Sequence, residues 1–549
     1  MKVSSFDVFD TCLVRKCGTP ENFFDVLSLH AFNSAVGELV RQEFVVARLL
    51  AQYRVQSASM TLQDIWDSFD WEHPLLKSKE ELCRLEMATE REMLLPVLKM
   101  REKVDECRKK GDRILFISDM YLSSEFLSEV MRELGFMQGN DKLYVSCECG
   151  AQKWNGLLFK YVKAKEKIAY VNWHHYGDNK QDDIKAPRKL GIRTTLVEHD
   201  YSPFQKLWKE NDYSFGFKYP SIMAGVGRAL RISTEWTTHT DFVVDLIAPF
   251  YCSWTYKVLK DASERGIQRL YFCARDTHLL YKLALRMQYL FPQIGIHYLY
   301  ISRQALYNDD NEEAKMAYYK DIGLATETDV CAIVDTNTWG KTLQYLNSLL
   351  EKHGCKEVTG YYYFVYRVDV KGISFEKYDA QVFNQYIRIN NHYRRLMSNV
   401  LIYECFFGLN NEKKTVDYSF EAGVPGPVFA SEIQEDCKMM DNIDWTPIHE
   451  SLVFDYSESF FELGLERYCD RVFETIIAAL GRFFAKPSKH YLKALTEFYI
   501  HEENTGELFP CIKKIYNPLE LLRKKRKYYW RRGCIYYTLP DWLLKMHKG

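Results

Sequence analysis

The first third of the chain carries side chains able to do chemistry, each at or just past a short apolar run. Asp7 ends such a run in Phe-Asp-Val-Phe-Asp-Thr, with Asp10 and Thr11 close behind. Ser118 ends RILFIS, Lys153 follows VSCECGAQ, and Asp178 and Asp183 lie in YGDNKQDD. Carboxylates serve as nucleophiles or as ligands for a hard cation. Hydroxyls and a lysine hold and neutralise an anion. A second group lies further on: Arg275 and Asp276, then Arg303 after Ser302, then Asp335, Thr336, Gly340, Lys341 and Thr342. There a strand, a short polar turn and a helix N-terminus would offer backbone amides and a helix dipole to a phosphate.

Strand and helix signals set these residues in place. Residues 3–9 read as a strand. Thr19-Pro20 is an N-cap with proline at the first helical position. Thr61 and Asp64 form a capping-box pattern. Apolar residues from about 20 to 110 recur at helical spacing, so this stretch is a helical insertion. Lys109-Lys110-Gly111 closes it. Strands are predicted at 113–118, 143–146, 168–171 and 193–197, separated by amphipathic helices. That alternation means a parallel sheet, whose functional groups collect at the carboxyl ends of the strands. Residues 200–240 read as irregular. A second alternation has strands at 270–274, 297–301, 331–335 and 360–366, and from about 445 the pattern is helical. The expected division is a first domain over 1–205 (insertion about 16–108), a linker over 206–239, a second α/β domain over 240–445 and a helical, basic C-terminal region over 446–549.

The order FDVFDT, ISDMY, Lys153 and YGDNKQDD resembles the haloacid dehalogenase-like (HAD) hydrolase superfamily, over roughly residues 1–200. The resemblance implies a Rossmann-like domain with the insertion as a helical cap. It implies phosphatase chemistry with Asp7 as nucleophile, forming an aspartyl-phosphate. Mg²⁺ would be held by Asp7, the Phe9 carbonyl and Asp178, with Asp183 as ligand or supporting partner and Asp182 as a substitute. Ser118 and Lys153 would hold the phosphoryl oxygens, and Thr11 would orient the nucleophile. Phosphatases of the superfamily usually place an Asp two residues after the nucleophile as acid and base. Here that position is Phe9, and an Asp follows at Asp10. Three readings stay open: Asp10 takes the role, the leaving group needs little help, or the domain mainly binds phosphate. Dehalogenases of the superfamily accept an aromatic at this position but do not need the acidic metal cluster, which favours phosphoryl chemistry. Asp119 and Tyr121 would shape the pocket, and His174 and His175 read as packed side chains.

The second region resembles the phosphoribosyltransferase fold, with the Asp335–Thr342 stretch as its phosphate loop and the Arg275-Asp276 turn at its pyrophosphate position. It has one acidic residue where those enzymes have two. The two-domain layout is similar to predicted hydrolases of bacterial surface-polysaccharide loci. It implies a phosphorylated small molecule or glycan as substrate, 5-phosphoribosyl pyrophosphate (PRPP) as a donor, and ribofuranose synthesis as the pathway. Alternatives are a stand-alone small-metabolite phosphatase and a non-catalytic phosphate-binding or regulatory protein.

Composition sets the outer limits. With 73 basic against 74 acidic residues, nothing points to nucleic-acid binding. At 47% hydrophobic and 27% charged, the chain is an ordinary globular one. The N-terminus lacks an apolar core and a cleavage site, and the fifteen scattered cysteines read as reduced thiols, so a cytoplasmic location is expected. Cys147 and Cys149 lack a second pair at zinc spacing. The tail RKKRKYYWRRGCIYY is read as a solvated helical face, a peripheral membrane contact or, last, an RNA contact.

Overall fold

A computed structural model describes residues 2–210, 218–234, 238–338, 341–365, 402–432, 437–439, 443–501, 507–517, 520 and 528–546. The chain divides into two compact units: Met1–Thr237 with Phe461–Leu465, and Thr238–Phe460 with Glu466–Gly549.

The first unit is built on β1 (Val3–Phe6), which is buried along its whole length. Strands β2 (Leu13–Arg15) and β3 (Leu94–Pro96) pair antiparallel and tie together the two ends of a helical insertion. Between them run α1 (Pro20–His30), α2 (Glu38–Arg54), α3 (Leu62–Asp67) and α4 (Lys79–Met93). Thr19 caps α1 through the Asn22 N–H, and Thr61 with Asp64 forms a full capping box on α3. After α5 (Leu98–Lys109) come β4 (Arg113–Ser118), α6 (Ser124–Glu133), β5 (Lys142–Val145), β6 (Trp173–Gly177) and β7 (Arg193–Leu196). The sheet order is β5-β4-β1-β6-β7, and every pair is parallel. Val3, Leu115, Ile117, Phe159 and Trp173 share one core on this sheet. Each such side chain contributes about 1.5–3 kcal/mol by burial.

Two expectations change here. The strand predicted at 168–171 is not one: Tyr170–Asn172 is a 3₁₀ turn with Val171 exposed, and the strand is Trp173–Gly177. The stretch read as irregular holds helices Pro203–Glu210 and Tyr219–Ser233. Pro220 is tolerated because it sits in the first turn of its helix, where its missing N–H has no intrahelical partner. The second helix docks at Gly225, where an added Cβ would stand 2.4 Å from the Gly18 nitrogen and 2.5 Å from the Cys17 carbonyl carbon. Asn22 Nδ2 donates to Ser221 Oγ at 2.9 Å beside this contact.

The second unit has its own parallel sheet. Strands β8 (Arg269–Cys273), β9 (Gly295–Leu299), β10 (Cys331–Thr338) and β11 (Thr359–Val365) are ordered β11-β10-β8-β9. Helices His278–Met287, Glu312–Asp321 and Lys341–Lys352 belong to the same unit. Tyr271, Leu299, Tyr319, Ile333 and Leu346 lie in one core. The basic stretch 521–527 lies outside the described residues. Beyond it Trp530 is buried against Phe483 and Phe484, with ring centroids 5.4 and 5.2 Å apart. No described helix is long and apolar enough to cross a membrane.

Candidate active site

Strand β1 is central, and its parallel neighbours β4 and β6 deliver their carboxyl ends to the same edge. Asp7 leaves β1 with its N–H donating to the Tyr176 carbonyl at 2.9 Å, which extends the ladder by one residue. Ser118 closes β4 and is almost fully buried. Asp178 follows β6 directly, and Asp183 lies in the π-helical turn Lys180–Lys185.

Lys153 arrives from the loop before helix Leu157–Glu166. Both carboxylate oxygens of Asp119 accept its backbone N–H, at 3.1 and 2.9 Å. Its ammonium donates to Asp7 Oδ1 at 2.5 Å and to Asp183 Oδ1 at 2.7 Å, with all three side chains buried. Thr11 Oγ1 lies 3.2 Å from Asp7 Oδ2 and 3.3 Å from Asp178 Oδ1. One ligand oxygen each from Asp7, Asp178 and Asp183 falls within 4.8 Å of the others, a spacing one ion could bridge.

Electrostatics explain why such a cluster calls for a cation. Burial, with the Asp183 and Asp178 charges adding to it, holds the Asp7 carboxyl well above its ordinary range despite Lys153. Burial and the charges of Asp10 and Asp183 push Asp178 up to about 6. Asp183 goes the other way: burial would raise it, but Lys153 and the His175 hydrogen bond outweigh burial and hold it low. Burial would likewise lower Lys153, but the surrounding carboxylates keep its ammonium charged. Three crowded carboxylates and one ammonium leave negative charge that a divalent cation would relieve. The all-oxygen donor set suits a hard ion such as Mg²⁺.

Sequence reading missed three supporting residues. His175 on β6 is fully buried, with Nε2 3.2 Å from Asp183 Oδ1 and Nδ1 2.7 Å from Ser5 Oγ. Trp173 Nε1 donates to that same Ser5 oxygen at 2.7 Å, so the serine proton goes to Nδ1 and Nε2–H is assigned to face Asp183. Asp183 Oδ2 accepts the Asn179 N–H at 3.0 Å. Gly177 makes room for this carboxylate, because a Cβ there would stand 2.3 Å from Asp183 Cγ. Asp119 is the second missed residue. The third is Arg228, whose Nη1 donates to Asp10 Oδ1 at 2.8 Å. Only the Gly-x-Gly pattern of Gly225 and Gly227 hinted that this stretch packs tightly. The ring of Phe9 lies under Arg15, whose Cζ is 4.4 Å from the ring centroid and whose Nη2 is 2.7 Å from Glu90.

In the second unit, Arg275 and Asp276 lie in the turn after β8, and Arg275 adopts φ +72°. Arg303 is an exposed first residue of the short helix Arg303–Tyr307. The expected loop from Asp335 is instead strand as far as Thr338, with Asp335 opposite Tyr362 on β11 and Thr336 buried. β-Branched Thr336 and Thr338 suit a strand, so β10 outlasts its apolar core. Lys341 and Thr342 open the next helix, and Gly340 lies outside the described residues. Glu412, missed by sequence reading, accepts the Tyr298 hydroxyl and lies 2.7 Å from His278 Nδ1.

No protein-family model matches the chain, and no curated protein matches it. Solved structures with a similar fold include a HAD phosphatase from Thermococcus onnurineus. It is 15% identical over 36% of this chain and 87% of its own, with a TM-score of 0.28. A HAD family enzyme from Bacteroides thetaiotaomicron, in complex with magnesium and inorganic phosphate, is 15% identical over 37% of this chain and 97% of its own, with a TM-score of 0.28.

Proposed function

We propose that the first unit is a Mg²⁺-dependent phosphatase of the HAD type, working through an aspartyl-phosphate on Asp7. The observation that carries this reading is Lys153, buried and bonded to both Asp7 and Asp183 beside Asp178. A lone carboxylate repels a phosphate dianion, and this arrangement supplies a fixed cation together with a site for a second. Asp7, Asp178 and the Phe9 carbonyl would hold the ion. When bound, it neutralises charge on the phosphoryl oxygens.

Asp7 attacks phosphorus, a new O–P bond forms, and the bond to the leaving oxygen breaks. Thr11 holds the far oxygen of the Asp7 carboxylate by its hydroxyl. Lys153 and Ser118 would receive the phosphoryl oxygens. Water then attacks phosphorus, releases phosphate and restores the carboxylate.

The test is phosphate release from a panel of phosphomonoesters, with and without Mg²⁺, for the parent and Asp7→Asn. The proposal expects Mg²⁺-dependent release that Asp7→Asn lowers by at least about 10³-fold. Phosphate binding without turnover would instead select a non-catalytic, regulatory protein. For the second unit the proposal extends to binding of a phosphorylated sugar or nucleotide at the Arg275-Asp276 turn, with PRPP as the first ligand to test. Calorimetry should then show heat of PRPP binding that Arg275→Ala removes. Absence of that heat would leave a stand-alone phosphatase and remove the link to ribofuranose polysaccharide.

A further inference from the structure

A phosphate ester of an ordinary alcohol leaves as a strong base and needs a proton at its leaving oxygen. The groups close to Asp7 that could give one are engaged elsewhere. Asp10 accepts from Arg228, 218 residues further along the chain. The guanidinium is 7% exposed, its Nε reaches the His199 carbonyl at 3.3 Å, and its Cζ lies 4.9 Å from the Tyr201 ring centroid. Both oxygens of Asp119 accept the Lys153 N–H. His175 is buried against Asp183. Burial and Arg228 push His199 down to about 4, so its imidazole is neutral near pH 7.

The Arg228–Asp10 pair is not a casual surface contact. Asp10 is held at φ +54°, a region that residues other than glycine seldom enter. The helix carrying Arg228 is fixed three residues earlier by the backbone contact of Gly225 with Cys17 and Gly18. A long side chain placed this way, with its body buried, loses little further entropy on pairing.

Resting on the phosphatase reading above, we propose that Arg228 is a positioning residue that holds Asp10 as a hydrogen-bond acceptor. The site then works without a proton donor at the leaving oxygen. Its substrates are acyl phosphates, phosphoric anhydrides, and aryl or enol phosphates, whose leaving oxygen departs as a stable anion. In the first step the Asp7–phosphorus bond forms. The bond to the leaving oxygen breaks with its electron pair, and the anion takes a proton later from water. In the second step water forms the new bond to phosphorus, the Asp7–phosphorus bond breaks, and one proton passes to solvent.

The test is kcat/KM of the full chain with Mg²⁺ for 4-nitrophenyl phosphate, phenyl phosphate and an alkyl phosphate. The expected fall from the nitrophenyl to the phenyl ester is about 10²-fold or more, the size of a missing general acid. Arg228→Gln releases Asp10 and should narrow this spread about tenfold, while Arg228→Lys keeps it. Asp10→Asn should scale all three esters by one common factor. A spread within about threefold in the parent would overturn the proposal. So would an Asp10→Asn variant that loses the phenyl and alkyl esters but keeps the nitrophenyl ester. The parent series and Asp10→Asn decide the matter even if the Arg228 variants do not fold. If no ester turns over in an Asp7-dependent way, the phosphatase reading itself falls, an outcome distinct from a flat series.

Discussion

Lys153 is the only cation bonded to two of the three clustered carboxylates among the described residues, so the cluster's stability turns on it. Lys153→Met would leave Asp7 and Asp183 facing each other underground with no compensating charge. Breaking a buried pair in this way costs about 3–5 kcal/mol. Urea unfolding of the metal-free variant should show a loss of that order, partly restored by Mg²⁺. A loss below about 1 kcal/mol would mean the ammonium is not paired as described. At this scale much of the site was legible in the sequence. Asp7, Thr11, Lys153, Asp178 and Asp183 each follow an apolar run, and the structure brings them together. His175 was not legible, because Trp-His-His-Tyr looks polar until Ser5 and Asp183 are known to satisfy its ring.

The elements carry a different lesson. Strands β1, β4, β5 and β7 fall within a few residues of their apolar runs, but the 168–171 run lies one turn short of β6. Ile-Ala-Tyr-Val has strand composition, yet tertiary pairing chose the five residues that reach β1 in register. Helix Tyr219–Ser233 was hidden by proline, glycine and serine, which read locally as irregular. Its position depends on a contact 207 residues apart (225 − 18), which no local pattern encodes. That contact makes a prediction. Gly225→Val should destabilise the first unit by about 1–3 kcal/mol, because backbone rather than a flexible side chain fills the space. A variant with an unchanged urea midpoint would refute the close packing.

At the scale of the molecule, the second unit adds a pH dependence of its own. His239 is buried and stacked on Trp445, with ring centroids 3.9 Å apart. Burial lowers its pKa from 6.5 to about 3. Below pH 6.5 the unfolded chain takes up a proton that the folded one refuses, so stability falls from there down towards pH 3. Between pH 7 and pH 5 this one residue should cost the fold about 2 kcal/mol. The unfolding midpoint of the second unit should drop accordingly, and His239→Phe should reduce the drop. An identical drop in the variant would place the effect elsewhere. Two parallel sheets were legible from strand–helix alternation. The length of β10 was not, because Asp335-Thr336-Asn337-Thr338 has the composition of a turn and the pairing of a strand.

The central claim is that Asp7 becomes covalently phosphorylated. The most direct measurement is acid-quenched mass spectrometry of the full chain during turnover of 4-nitrophenyl phosphate with Mg²⁺. The account predicts one phosphoryl group on the peptide that contains Asp7, lost on treatment with hydroxylamine and missing from Asp7→Asn. Phosphate release with no adduct, or an adduct that persists in Asp7→Asn, would contradict it.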